Sequence, residues 1–242
     1  MADLRRALLV LGALALLAAA IPPVEVSVGV TRADDGLLSP VTITIGLRNP
    51  QRSTLTASFL TTDLYEVQVR DGDSELYSSL FGHKPIEIER RIPLPPGLTS
   101  LGSLVWDATT NDHRSLAPGT YTLRVSILGS LIHPSAEIPI AFATPLPVAS
   151  AKALKPGTAV TLAGSSVLIG GVPTLIGDDG ATLRLSRLAR PRAQGRYIFR
   201  GYITKIDDSL ELAVERAAPA FENLTPEAAR PSPQPLMSAS SR

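Results

Sequence analysis

The chain has 242 residues, enough for one large or two small domains that each bury a core. Its 23 lysines and arginines nearly balance its 22 aspartates and glutamates, so the overall charge does not indicate nucleic acid or an acidic substrate as a partner. Cysteine is absent, which excludes disulfides, a thiol nucleophile and a cysteine-ligated metal. The 21 prolines and 18 glycines, with few aromatic residues, favour short strands joined by turns and predict an all-β protein.

The N-terminus has the anatomy of a secretory signal peptide. Arg5 and Arg6 precede an apolar stretch, Ala7 to Ala20, that ends in three alanines. A signal peptide has an apolar core of roughly 7–15 residues, whereas a membrane-spanning helix needs about 20. We therefore predict cleavage after Ala20 and export to the periplasm, the cell envelope or the exterior, with membrane contact only through residues 1–20. A retained N-terminal membrane anchor is the alternative.

Apolar and polar residues then alternate in about eight short segments between Val24 and Phe142. The pattern is typical of half-buried strands, and turn residues such as Asp71-Gly72-Asp73 and Pro118-Gly119 separate the segments. This number of strands predicts an immunoglobulin-like β-sandwich over residues 21–143.

One predicted strand of the sandwich carries a candidate binding surface. Prolines flank the segment from Ile86 to Ile92, and proline cannot donate to a strand ladder, so this strand is expected at a sheet edge. An exposed edge can add a strand of another protein by backbone pairing. The residues predicted to form this partner-binding edge are Ile86, Ile88, Arg90 and Ile92.

The pattern restarts after a proline- and alanine-rich linker at residues 144–157. Five predicted strands between residues 158 and 216 favour a small barrel of the oligonucleotide/oligosaccharide-binding (OB) type. A three- or four-stranded meander packed on the first domain is the alternative. Residues 217–242 are rich in proline, alanine and serine and are predicted to form a disordered tail.

Basic residues cluster in the second domain near Tyr197, Phe199 and Tyr202. Such a face binds anions, and the signal peptide disfavours nucleic acid, which leaves an anionic envelope polymer or lipid headgroups. The alternative is a solvated face over core aromatics, because Tyr197 and Phe199 share one side of the strand. The predicted anion-binding residues are Arg184, Arg196, Arg200 and Lys205.

The sequence predicts no catalytic, metal or cofactor site. The histidines lie in three separate predicted loops without a recognised ligand spacing, and no Gly-x-Ser-x-Gly elbow occurs. Paired aspartates lie between predicted strands and are interpreted as turn residues, with a calcium site as the alternative. The histidines are His83, His113 and His133, and the aspartate pairs are Asp34-Asp35, Asp178-Asp179 and Asp207-Asp208.

Residues 41–127 resemble the BsuPI-type proteinase inhibitor domain, a bacterial all-β domain. The shared elements are the threonine-alternating strand that ends in Asn49-Pro50, the Tyr65 to Asp71 strand and turn, Trp106-Asp107, and the hairpin at residues 118–122. This resemblance implies a protein-binding fold that inhibits subtilisin-like proteases and has no catalytic residues. The chain departs from the family after Asp73, where a tryptophan-rich strand is common.

Two functional hypotheses follow. The first is an exported, non-catalytic protein-binding module whose partner is a serine protease of the subtilisin type. The second is a structural or assembly protein of the cell envelope whose basic second domain binds an anionic polymer.

Overall fold

Strands account for nearly all the regular structure of this chain, as the composition predicts. A computed structural model describes residues 24–129, 134–186 and 195–221. The strands are β1 (Glu25–Arg32), β2 (Val41–Asn49), β3 (Leu55–Thr61), β4 (Tyr65–Asp71), β5 (Ser74–Ser78), β6 (Glu87–Leu94), β7 (Gly97–Trp106), β8 (Gly119–Ile127), β9 (Ser135–Phe142), β10 (Ala159–Ile169), β11 (Val172–Gly177), β12 (Thr182–Leu185), β13 (Arg196–Ile206) and β14 (Ser209–Pro219). A single turn of helix, α1 (Val148–Ala151), lies between β9 and β10.

The first nine strands form the predicted immunoglobulin-like β-sandwich. One sheet has the order β1-β2-β7 and another the order β5-β4-β8-β9, while β3 and β6 pair as a two-stranded sheet. The alternating residues of β2 and β8 are buried, with Ile43, Leu47, Leu123 and Val125 all at most 2% exposed. Burying one face of each strand in this way fixes the strand register, because a slip of one residue would turn every apolar side chain to solvent.

An aromatic cluster and a tyrosine hydrogen bond fix one end of the sandwich. The Trp106 ring lies 5.5 Å from the ring of Tyr77 and 5.9 Å from that of Phe142, and its indole N–H donates to the Thr109 carbonyl at 2.8 Å. At the start of β8, the Tyr121 hydroxyl donates to the carbonyl of Ala117 at 2.7 Å. This is the tyrosine corner that closes a connection in immunoglobulin-like domains.

The last five strands close into a barrel in the order β10-β11-β12-β14-β13. All neighbours are antiparallel except β12 and β14, where Arg184 pairs with Glu211 in parallel. The closed barrel confirms the OB-like prediction and replaces the meander alternative. Closure depends on Gly164 and Gly201, since a Cβ atom at either position would overlap a carbonyl oxygen of the facing strand.

The predicted linker and tail differ from the structure at their inner ends. Leu146 pairs with Leu162 of β10, and Val148 and Ala151 of α1 are buried in the barrel core, so the end of the linker is part of the barrel. The tail does not begin at residue 217, because β14 continues to Pro219. Both differences arise because small and apolar residues of these segments pack into the two hydrophobic cores. The predicted signal peptide and residues 222–242 lie outside the described residues.

No helix in the described ranges is long and apolar enough to cross a membrane.

Tyr121→Phe removes the hydroxyl of the tyrosine corner and leaves the Ala117 carbonyl without this donor. We expect unfolding free energy to fall by about 1–2 kcal/mol, the usual cost of losing a well-made buried hydrogen bond. Urea unfolding measures the change. Tyr202→Phe, at a side chain 39% exposed in the barrel, is the matched control and should change stability by less than about 0.5 kcal/mol. An equal effect of the two substitutions would contradict the assignment.

Candidate functional site

The segment predicted as a partner-binding edge lies at the edge of its sheet. Within the described residues β6 pairs only with β3, and its other side carries no strand. The register places Arg90 opposite the buried Phe59 of β3. Ile92 shares this face, because side chains alternate along a strand. The register shift between Phe59 and Thr61 places an extra residue in β6 and pairs Thr61 with Glu87, so Ile86 and Ile88 lie on the opposite face, with Leu60. The four predicted residues are therefore divided between two faces, and the exposed aliphatic stripe consists of Ile86, Ile88 and Leu60.

This stripe is unusually exposed for its composition. Ile86 is 67% and Ile88 52% exposed, and Leu60, opposite the bulge of β6, is 57% exposed. Ile92, on the other face and nearer the sandwich core, is partly buried. Natural sheets protect their edges with charges, prolines or covering segments, because bare edges pair with other chains. Beyond its two glutamates and two arginines, β6 presents large aliphatic side chains at an open edge.

Two of the charges of β6 pair with each other. Arg91 donates two hydrogen bonds to the Glu89 carboxylate, at 2.9 and 2.7 Å, so these two charges balance. Arg90 is exposed and lies with Glu87 on the face opposite the stripe. The stripe therefore carries no uncompensated charge.

The approach to β6 is fixed to the end of β3. The backbone N–H of Thr62 donates to the Ile86 carbonyl at 3.0 Å, and the His83 ring lies 3.3 Å from the Asp63 carboxylate. These contacts hold the segment before β6 beside β3, so Ile86 occupies a defined position despite its exposure.

The described histidines do not converge on one site. His83 contacts Asp63, whereas His113 lies at the tip of a separate turn with a φ of 62°. His133 lies outside the described residues. No group of three histidines, aspartates or glutamates in the described ranges is arranged to hold a metal ion. The calcium alternative for the aspartate pairs gains no support from this arrangement.

The predicted anion-binding residues meet carboxylates of the chain itself. Three of the four form ion pairs: Arg196 with Asp178 at 2.6 Å, Lys205 with Asp208 at 2.7 Å, and Arg200 with Asp34 at 2.6 Å. Arg184 is exposed on β12. Arg200 needs a correction, because it is only 5% exposed and cannot bind an external polymer. The alternation of β13 predicted an outward side chain, but the surface it points to is covered by the sandwich.

Arg200 and Asp34 join the barrel to the sandwich. The guanidinium donates two hydrogen bonds to the carboxylate, at 2.8 and 2.6 Å, across 166 positions of sequence. The hydrogen bonds from Arg200 hold the pKa of Asp34 below its ordinary value of 3.8, against the opposing effect of partial burial. The interpretation of Asp34 as a turn residue alone is therefore incomplete. Asp34 also accepts a hydrogen bond from the Gly36 N–H at 2.9 Å, as turn aspartates do.

Backbone pairing and apolar packing extend this junction. The Ser115 N–H donates to the Pro219 carbonyl at 2.9 Å, and the Phe221 N–H donates to the Ser115 carbonyl at 3.0 Å. Arg216 of β14 forms an ion pair with Asp107. The barrel residues that join the core cluster of the sandwich are Ala163, Ile198, Ala218 and Ala220. The sequence did not predict this interface, since short alanine-containing segments carry no pattern that identifies the surface on which they pack.

The other two aspartate pairs do occupy turns, as predicted. Asp179 accepts hydrogen bonds from the Ala181 N–H at 3.1 Å and from the Ala149 N–H of α1 at 2.8 Å, which ties the helix to the β11–β12 turn. The backbone N–H groups, that of Ala149 first, lower the pKa of this exposed carboxyl. Asp207 and Asp208 adopt positive φ angles of 47° and 63° in the β13–β14 turn.

Asp34→Asn leaves the buried Arg200 guanidinium without a charged partner. We expect a loss of about 2 kcal/mol of unfolding free energy, less than for a fully buried pair because Asp34 is partly exposed. Chemical denaturation measures the loss. Asp35→Asn, at the exposed neighbour, is the control and should cost less than about 0.5 kcal/mol. Equal effects at the two positions would show that the pair does not stabilise the junction.

The same pair gives stability a defined pH dependence. Because folding lowers the pKa of Asp34, its contribution is fully present above the pKa of the unfolded chain and is lost as pH falls through the lower folded-state value. The stability difference between the parent chain and Asp34→Asn should therefore be constant at neutral pH and shrink in acid, below the ordinary value of 3.8. Denaturation curves across this range measure it, and a difference unchanged in acid would refute the linkage.

Comparisons with known proteins give no family for this chain. No protein-family model matches it, and no curated protein matches it. A solved structure, that of the sporulation control protein Spo0M from Bacillus subtilis, aligns over 74% of this chain and 79% of that chain, with 12% sequence identity and a TM-score of 0.32. A likeness of this size defines neither a shared fold nor a shared function.

Proposed function

We propose that this chain is an exported, non-catalytic protein-binding module that pairs with a strand of its partner along the open edge of β6. The observation that carries the proposal is the stripe of Ile86 and Ile88, 67% and 52% exposed, on a strand whose outer side is unpaired among the described residues. Export is inferred from the basic and apolar N-terminal sequence alone.

Both the backbone and the side chains of β6 suit the addition of a partner strand. Unpaired backbone groups of β6 supply hydrogen bonds to any extended chain, and side chains at alternate positions supply selectivity. The edge rests on the sandwich through buried Phe59 and Leu94, which are at most 1% exposed. A partner strand therefore meets a surface that is already ordered, and less conformational entropy is lost on binding.

Subtilisin-like proteases are the partner class that we favour. The support is the resemblance of residues 41–127 to the BsuPI-type inhibitor domain, together with the edge geometry, because a protease also binds extended chains by backbone pairing. The alternative of an anionic envelope polymer has less support, since Arg196, Arg200 and Lys205 already have carboxylate partners.

Ile88→Lys tests the proposal by placing a positive charge on the stripe. We expect inhibition of a susceptible subtilisin-type protease to weaken by about tenfold or more, because a lysine on an edge opposes strand pairing. Inhibition constants across a panel of such proteases provide the measurement. Leu98→Lys, at a residue of β7 that is 64% exposed, is the matched control and should leave inhibition unchanged.

Backbone hydrogen exchange gives an independent check. Strand addition should slow the exchange of amides in β6 when the partner is bound, while exposed turns elsewhere stay unchanged. Two results would reject the proposal: absence of inhibition across the panel, or inhibition that Ile88→Lys leaves unchanged.

A further inference from the structure

The hairpin between β10 and β11 ends in an exposed aliphatic tip. Leu168 is 66% and Ile169 52% exposed, and their strand partners are Pro173 and Val172. The turn itself is Gly170-Gly171, with φ angles of 58° and 80° that suit a two-residue hairpin and leave open space around both glycines. The tip thus projects beyond the barrel with no side chain in the turn to cover it.

The composition of this tip differs from that of the other described hairpin turns. Residues 165–177 contain no charged side chain. Three other hairpin turns carry aspartates, at Asp71 and Asp73, Asp178 and Asp179, and Asp207 and Asp208. Those turns have the composition expected of a surface that faces water. Exposed aliphatic residues without charges mark a contact surface instead.

Basic side chains lie beside the tip. A cleft of about 490 Å³ is lined by Ile169 and Val172 together with Lys152 and Arg184. Asp208 also borders this cleft, but it is paired with Lys205 at 2.7 Å. Glu211 is the strand neighbour of Arg184 and is not within ion-pairing distance of it, so it offsets that charge only in part. Aliphatic and cationic groups therefore adjoin.

We propose that the β10–β11 tip docks on an anionic lipid surface, with Leu168 and Ile169 entering the acyl region and Lys152 and Arg184 meeting lipid phosphates. Amphipathic protein surfaces bind membranes in this way, by buried apolar area plus attraction to anionic headgroups. The closing pair of the hairpin, Ile169 with Val172, satisfies its own backbone groups, which lowers the cost of leaving water.

A lipid surface fits this tip better than a protein partner does. A stable protein interface buries about 800 Å² on each side, far more than two side chains at a hairpin tip provide. A bilayer has no fixed shape and accepts a projecting apolar group. This surface lies on the barrel, far along the chain from β6, and the proposal does not depend on the proposed function.

A single fluorescent label tests the insertion in the full chain. The chain contains no cysteine, so Leu168→Cys provides one attachment site for a polarity-sensitive dye. With phosphatidylglycerol vesicles we expect the emission to shift to shorter wavelength and to be quenched by a quencher attached to the acyl chains. A dye at Leu98→Cys, equally exposed on the sandwich, is the control and should show neither change.

The dye at position 168 reports on the tip alone. Binding of the whole chain to vesicles can also arise from the apolar N-terminal stretch. Replacing both Lys152 and Arg184 by Gln should weaken the response to phosphatidylglycerol by about one order of magnitude, and phosphatidylcholine vesicles should give a much weaker response. A dye at position 168 that stays in water while the chain binds vesicles would overturn the proposal. A shift without lipid that grows with protein concentration would also overturn it, in favour of contact between two copies.

Discussion

A buried guanidinium joins the two halves of this protein. Arg200 lies in β13 of the barrel at 5% exposure, and Asp34 lies in the turn between the first two strands of the sandwich. Removing such a cation from water is costly unless its hydrogen bonds and charge are matched, and the Asp34 carboxylate, which accepts two hydrogen bonds from Arg200, supplies both. The pair therefore favours this placement of the barrel, because the covered cation meets its carboxylate partner here.

The surrounding contacts depend on that placement. With the barrel fixed, Ser115 can pair with the backbone around Ala220, and Ile198 can reach the core of the sandwich. These contacts add apolar burial and backbone hydrogen bonds, which supply more of the stabilisation than an ion pair does. The ion pair and the packing favour the same placement of the barrel, and the packing supplies more of the stabilisation.

The rigid frame presents two different kinds of exposed apolar surface. On β6 the backbone is open and the side chains alternate, an arrangement suited to pairing with an extended chain. At the β10–β11 tip two exposed aliphatic side chains adjoin basic ones, an arrangement suited to an anionic lipid surface. The same residue types thus indicate different partners, and the neighbouring charges make the difference.

Local sequence patterns predicted the strands of this protein and the position of its open edge. Strand alternation has a period of two, turns need glycine, proline or aspartate, and proline excludes a central strand. These are local features of a sequence, and they predicted the edge strand at Ile86–Ile92 and the turn at Asp71-Gly72-Asp73. Which charged side chains are free and which are paired depends instead on how the domains pack. Arg200 and Asp34 are separated by 166 positions, and no local pattern distinguishes a solvated arginine from one that a second domain covers. Ion pairing and burial depend on which surfaces meet, and that is settled by the packing of the whole chain.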